Sequence, residues 1–231
     1  MISAPGHEGV RWPDDGIQRQ YTGAAGQILL ARTLDFIELL HSIKVLETSP
    51  QWKALDYGAG FGRIASIIGQ FVGSSRIDLA DAWPASLEIA KRTGIGSKVF
   101  LVSPHLETHE FATSEYDLAY AYSIFTHLPS RTFLNNIQTV MNSIKSGGTF
   151  VFTVREPKFL SYLEQLGKRR SEDGEMENGF WFGNAQTSFY GDSVVDRDWL
   201  VDNLRHLGTV AFLGTLSSEP FQTIVMLTKP D

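Results

Sequence analysis

Apolar residues recur at helical spacing from Gly26 to Lys44, at Ile28, Leu29, Leu34, Ile37, Leu40 and Ile43, which predicts one long helix. Beyond it the pattern shortens into apolar runs bounded by turn residues. Trp52 to Tyr57 reads as a strand, followed by strands over Arg76 to Ala80, Lys98 to Val102, Tyr116 to Tyr122 and Thr149 to Val154. Helical patterns separate them: Ile64 to Phe71, Pro84 to Arg92 and Arg131 to Ile144, with Pro84 suited to a first turn and Gly147-Gly148 turning the chain. Strand and helix alternate through two thirds of the chain. That alternation predicts an α/β fold, a parallel sheet covered by helices on both faces.

The two ends depart from this rhythm. The first twenty or so residues are polar and carry Pro5, Gly6, Gly9, Pro13 and Gly16, so they read as an arm without regular structure. From Pro157 to Asp198 runs a charged, glycine-punctuated stretch holding "NGFWFGNAQTSFYGD". Its Phe180, Trp181, Phe182, Phe189 and Tyr190 fit the wall or lid of a pocket and equally well ordinary core, and periodicity does not choose between them. A helix over Asp198 to Leu207 follows. The closing segment "TVAFLGTLSSEPFQTIVMLTKP" reads as two strands about a turn at Ser217 to Pro220, an antiparallel hairpin that finishes the sheet. The organisation expected is an arm and helix over 1–48 and a main domain over 49–231, with an insertion near 157–197.

Composition narrows the classes. A chain of 231 residues, 42% hydrophobic and 20% charged, is long enough to bury a full core as one large domain. Net charge of −6 without a basic run gives no electrostatic footprint for nucleic acid. Absence of cysteine excludes disulfides, thiolate metal sites and a cysteine nucleophile. The polar N-terminus lacks a signal-peptide pattern and no apolar run reaches membrane-spanning length, so a cytoplasmic location is the expectation.

The chemistry concentrates at "LDYGAGFGR". Its glycines, Gly58, Gly60 and Gly62, are spaced G-x-G-x-G rather than G-x-G-x-x-G, and Asp56 stands two residues before the first. A carboxylate there repels a pyrophosphate and suits an ammonium group. Asp81 ends the second strand at about the 20-residue offset where an acid meets ribose hydroxyls. Asp78 competes for that role, and an N-cap is the plainer reading of Asp81. "HLETHE" places His105 and His109 four apart beside Glu107 and Glu110, yet it follows a strand in a short connection without a third spaced ligand, so no metal is expected.

Taken in order, "ALDYGAGFGR", "DAWPASLEIAKR", "YDLAYAYSIFTHLP" and "IKSGGTFVFTV" resemble the class I S-adenosylmethionine-dependent methyltransferases over about Trp52 to Val154. The resemblance implies a Rossmann-like seven-stranded sheet of order 3-2-1-4-5-7-6 with an antiparallel seventh strand. It implies S-adenosylmethionine as cofactor, its methionine part held by Asp56 and the backbone of Gly58, Ala59 and Gly60. Asp81 would take the ribose hydroxyls, and Ala82 and Trp83 would flank the adenine. Tyr21 resembles the aromatic that an N-terminal arm folds over the cofactor, or packs as a plain core tyrosine; Leu106 and Tyr122 complete the expected set. The acid that relatives carry after the third strand is missing from Ser103-Pro104-His105-Leu106, leaving His105 or backbone groups for the adenine amine.

His127, just past the fourth strand, is the candidate general base for a hydroxyl or amine acceptor, with activity falling as its imidazole protonates. The competing reading is that it orders its loop. Without a basic surface, a small-molecule acceptor is expected rather than a macromolecule. Two other classes compete: a protein that binds the S-adenosyl group without transferring methyl, as regulator or scaffold, and a nicotinamide oxidoreductase, which the glycine spacing disfavours.

Overall fold

β1 (Ala54–Tyr57) and β2 (Ile77–Asp81) are buried along their whole length, so both faces of their sheet need cover. A computed structural model describes residues 12–92, 94–107, 109–169 and 174–231. In it β3 (Val99–Leu101), β4 (Tyr116–Ala121), β5 (Ile144–Val154), β8 (Thr209–Leu216) and β9 (Glu219–Thr228) join them in one sheet of order β3-β2-β1-β4-β5-β9-β8. The first five strands run parallel and β9 is antiparallel to both β5 and β8, the topology the resemblance implies.

Alternation along the strands sorts the cover. Leu55, Ala119, Phe150 and Phe152 face α5 (Ser130–Ser143) and α7 (Arg197–Leu204) through Phe133, Ile137, Val140, Leu200 and Leu204. Ala54, Ile77, Leu118, Tyr120 and Val151 face α2 (Gly26–Ser42) and α3 (Arg63–Val72) through Phe36, Leu40, Ile64 and Ile68. α4 (Pro84–Arg92) crosses between β2 and β3.

Three segments differ from the expectation. Asp15–Thr22 forms a helix, α1, where an irregular arm was expected. Asp14 caps it by accepting from Gly16 N and Ile17 N, and Gly23 ends it at φ +72°; Pro13 lies just before the cap and Gly16 in the first turn, so neither breaks the helix. The stretch with Pro5, Gly6 and Gly9 lies outside the described residues. α6 (Lys158–Gln165) opens the insertion, and β6 (Phe180–Thr187) pairs antiparallel with β7 (Tyr190–Val195) as a separate two-stranded sheet. Their register shifts between Gly183 and Thr187, which hides the two-residue alternation.

Candidate active site

The carboxyl ends of β1, β2 and β4 open into a cleft of about 500 Å³, part of it open to solvent. Its lining joins Tyr57, Gly58, Asp81, Ala82, Trp83 and Pro104 to Ser123, Ile124, His127, Leu128, Phe189 and Tyr190. The glycine turn crosses its floor. Gly58 N and Ala59 N both donate to Ala80 O, at 2.8 and 3.1 Å, and Gly60 N donates to Asp81 Oδ2 at 2.7 Å. Three successive N–H groups are thus committed to the end of β2. That turn is not an anion nest, which removes the physical basis for a phosphate at this place.

Gly58 and Gly60 adopt φ +75° and +57°, which favour glycine. They differ in what lies above them. A Cβ on Gly58 would meet Ile124 Cδ1 at 2.1 Å, whereas nothing stands within 4 Å of one on Gly60. Open space over backbone forced into the left-handed region is room for a ligand.

Asp56 is buried beneath this turn, 2% exposed, and its Oδ2 has no hydrogen-bond partner. Burial pushes its carboxyl up to about 7, against the pull of the Tyr120 hydroxyl, the Arg63 guanidinium and the Ala65 backbone. Neither Tyr120 nor Arg63 closes a hydrogen bond on Oδ2, and the Tyr120 hydroxyl is itself unpartnered. Arg63 instead donates to Thr33 Oγ1 at 2.7 Å and lies over the Tyr122 ring. A buried, orphaned carboxylate oxygen calls for a donor from outside the protein.

Asp81 and Asp78 part company. Asp78 Oδ2 accepts from the Tyr116 hydroxyl at 2.9 Å and pairs with Lys53 Nζ at 2.7 Å, away from the cleft. Asp81 lines the cleft, and its second oxygen accepts from Trp83 N at 2.8 Å, the cap-like bond of the plainer reading. Burial pushes its carboxyl up, opposed by those backbone bonds. Trp83 is 50% exposed, a large apolar face left uncovered beside this acid.

α1 covers the turn from the other side. Trp12 Nε1 donates to Ser66 Oγ at 2.9 Å, and the Trp12 and Tyr21 rings meet Phe61 edge-on at 6.2 and 6.3 Å. The Tyr21 phenol is pushed up by burial and then by the Asp81 charge, so the two groups share one electrostatic neighbourhood.

Seven expected residues are not part of the cleft lining: Tyr21, Asp56, Ala59 and Gly60, described above, and Tyr122, Leu106 and His105. Tyr122 packs edge-on against Phe36 at 5.0 Å, with its hydroxyl buried and unpartnered on the α2 side. Leu106 is core, and its N–H already donates to Asn136 Oδ1 at 2.8 Å. His105 Nδ1 shares a hydrogen with Thr132 Oγ1 at 3.2 Å, so Pro104 alone of that loop reaches the lining. Among the described residues no group of three or more His, Asp or Glu side chains could hold a metal.

His127 stands opposite Asp81. Its Nδ1 lies 2.7 Å from Gly191 O, and a carbonyl only accepts, so Nδ1 carries the hydrogen and Nε2 keeps its lone pair. Nε2 has no partner among the described residues. Burial, then the Arg155 charge, push the imidazole down to about 4, well below its ordinary range. The ring stacks on Tyr190 at 4.7 Å and 16°, and Tyr190 meets Trp83 edge-on at 6.5 Å.

β7 builds this wall by pairing with the loop after β4. Gly191 N donates to His127 O, Ser193 N to Thr126 O and Ser193 Oγ to Leu128 O. Arg155, at the end of β5, clamps the arrangement by donating to Thr126 O at 3.1 Å and Asp192 Oδ1 at 2.5 Å. The aromatic cluster is therefore divided. Phe180 and Trp181 are core, while Phe189 and Tyr190 line the cleft. Arg155 and Asp192 went unseen in the sequence; a charge in "TVRE" at the carboxyl end of a parallel strand was the available signal.

The arrangement fits an S-adenosyl group: an orphaned acid for an ammonium, an open glycine, an acid facing the cleft and an exposed indole beside it. Residues 54–148 match the family model of the methyltransferase domain. No curated protein matches the chain in sequence. Among solved structures, a protein from Pyrococcus horikoshii superposes with TM-score 0.66 at 13% identity, over 95% of this chain and 100% of that one. A SAM-dependent methyltransferase from Methanosarcina mazei gives 0.59 at 16%, over 83% and 96%. DhpI, in its complex with SAM and HEP, gives 0.61 at 15%, over 94% of each chain. At such identities these likenesses speak for the fold.

Proposed function

We propose that this chain, which belongs to the class I S-adenosylmethionine-dependent methyltransferases, methylates oxygen or nitrogen of a small-molecule acceptor held between Phe189, Tyr190 and His127. The observation that carries this reading is the His127 tautomer: with Nδ1–H tied to Gly191 O, Nε2 is an unprotonated acceptor in the wall of the cleft. The cofactor, when bound, supplies an electrophilic methyl group. Asp56 and the turn at Gly58, Ala59 and Gly60 would hold its amino-acid end, and Asp81 its ribose. Ala82 and Trp83 would flank the adenine and Tyr21 would cover the site from α1. The protein's remaining work is to align an acceptor, exclude water and take its proton at Nε2.

A cleft of about 500 Å³ is of a size for a cofactor and a small acceptor, and this supports the reading. No helix among the described residues is long and apolar enough to cross a membrane, and the net charge of −6 offers no basic face for nucleic acid. The test is incubation of the purified protein with S-adenosylmethionine and a panel of hydroxyl- and amine-bearing metabolites, read by mass spectrometry. A product heavier by one methyl, with matching release of S-adenosylhomocysteine, is expected. Tight S-adenosylhomocysteine binding with no transfer to any panel member would favour the binding-protein alternative.

A further inference from the structure

We propose, resting on the methyl-transfer reading, that the acceptor is an uncharged aromatic hydroxyl compound, its ring against Phe189 and Tyr190 and its hydroxyl donating to His127 Nε2. The walls argue for the ring. Tyr190 is already stacked parallel on His127, Phe189 lines the cleft beside it, and Ile124 and Leu128 supply further apolar contacts, with the exposed Trp83 left to the adenine.

The charges argue for neutrality. Among the described residues neither Lys nor Arg lines the cleft. The Arg155 guanidinium behind His127 is spent on Asp192 and Thr126 O, so a carboxylate or phosphate on the acceptor would lose its water and gain no partner. A cationic acceptor fares no better. The one acid among the described lining residues, Asp81, is assigned to the cofactor's ribose, and the Ser123 hydroxyl accepts from Gln222 Nε2.

The proton argues for oxygen. In the transfer the hydroxyl oxygen bonds the methyl carbon while the carbon–sulfur bond breaks, its electron pair staying on sulfur. The proton passes from oxygen to Nε2 and then to water. An oxygen that carries both a hydrogen and a new alkyl bond is strongly acidic, so even an imidazole held down to about 4 takes its proton. An amine of lysine-like basicity, about 10.4, arrives as an ammonium with no free lone pair, and such a group does not take its proton to release one.

The test pairs binding with transfer. The protein saturated with S-adenosylhomocysteine is titrated calorimetrically with 2-naphthol, 6-hydroxy-2-naphthoic acid and 2-naphthylmethylamine, and each compound is then offered with S-adenosylmethionine. Naphthol should bind about tenfold or more tighter than the acid. Tyr190→Leu and Phe189→Ala should each weaken naphthol about tenfold while circular dichroism stays native. Methylation should occur on the naphthol oxygen and not on the amine. Equal or tighter binding of the acid, faster transfer to the amine, or no binding of naphthol overturns the acceptor class. Failure to bind S-adenosylhomocysteine at all would instead overturn the methyltransferase reading beneath it.

Discussion

Asp81 joins two loops before any ligand arrives, holding Gly60 N with one oxygen and Trp83 N with the other. A residue so placed sets the shape of the proposed ribose side as well as its charge. Asp81→Ala should therefore weaken S-adenosylhomocysteine about 10- to 100-fold, the scale for losing a charged hydrogen-bond partner. It should also lower the melting temperature by a few degrees through the freed N–H groups. Calorimetry and a thermal melt on the one variant check both, and unchanged affinity would return Asp81 to the role of a simple cap. The neighbouring glycines show how far residue-scale reading reaches. That Gly58 and Gly60 sit at a tight turn was legible in "DYGAGFG"; that Ile124 closes over one and leaves the other open was not, because Ile124 lies more than sixty residues away on the loop after β4.

At the scale of elements, the βα units were legible because each carries its own pattern. A buried strand reads as an apolar run, and a helix with one buried face reads at 3.6 spacing. The β6–β7 sheet was not. Its alternation is broken by the register shift after Gly183, and Gly191 and Ser193 bond to Thr126, His127 and Leu128, far away in sequence. What holds it there is the half-hidden Arg155–Asp192 pair, whose side chains are 13% and 21% exposed. Removing one partner strands the other. Arg155→Met should cost about 3–5 kcal/mol, and Arg155→Met with Asp192→Leu should cost less than the single change. The single variant should also raise the His127 titration toward the ordinary imidazole range, because the Arg155 cation that opposes protonation is gone while Asp192 remains. Imidazole proton shifts followed by NMR across pH measure this directly; an unmoved titration would show that Arg155 does not govern His127.

The molecule as a whole carries two buried groups whose titrations oppose each other. His127 titrates near 4 when folded and near 6.5 when unfolded, so stability falls as pH drops from 6.5 to 4. Asp56 titrates near 7 when folded against 3.8 in the open chain, so stability rises as pH drops from 7 toward 4. The two contributions offset. His127→Ala should consequently gain denaturant resistance on acidification relative to the parent, and Asp56→Asn should lose it; parallel curves for all three proteins would contradict both assignments.

The parallel sheet was legible in the alternation of elements and the β8–β9 close in its hairpin pattern, while the strand order came from the family resemblance. The position of His127, the proposed base, relative to the β6–β7 hairpin was not legible, and the expected activity profile changes with it. The fall in rate on acidification moves from the ordinary imidazole range to near pH 4. The most direct measurement is the single-turnover rate of His127→Ala on an acceptor the parent methylates, beside its affinity for S-adenosylhomocysteine. The account predicts a rate about 10²–10⁴-fold lower with cofactor affinity nearly intact. A rate within a few fold of the parent, or a loss confined to binding, would contradict it.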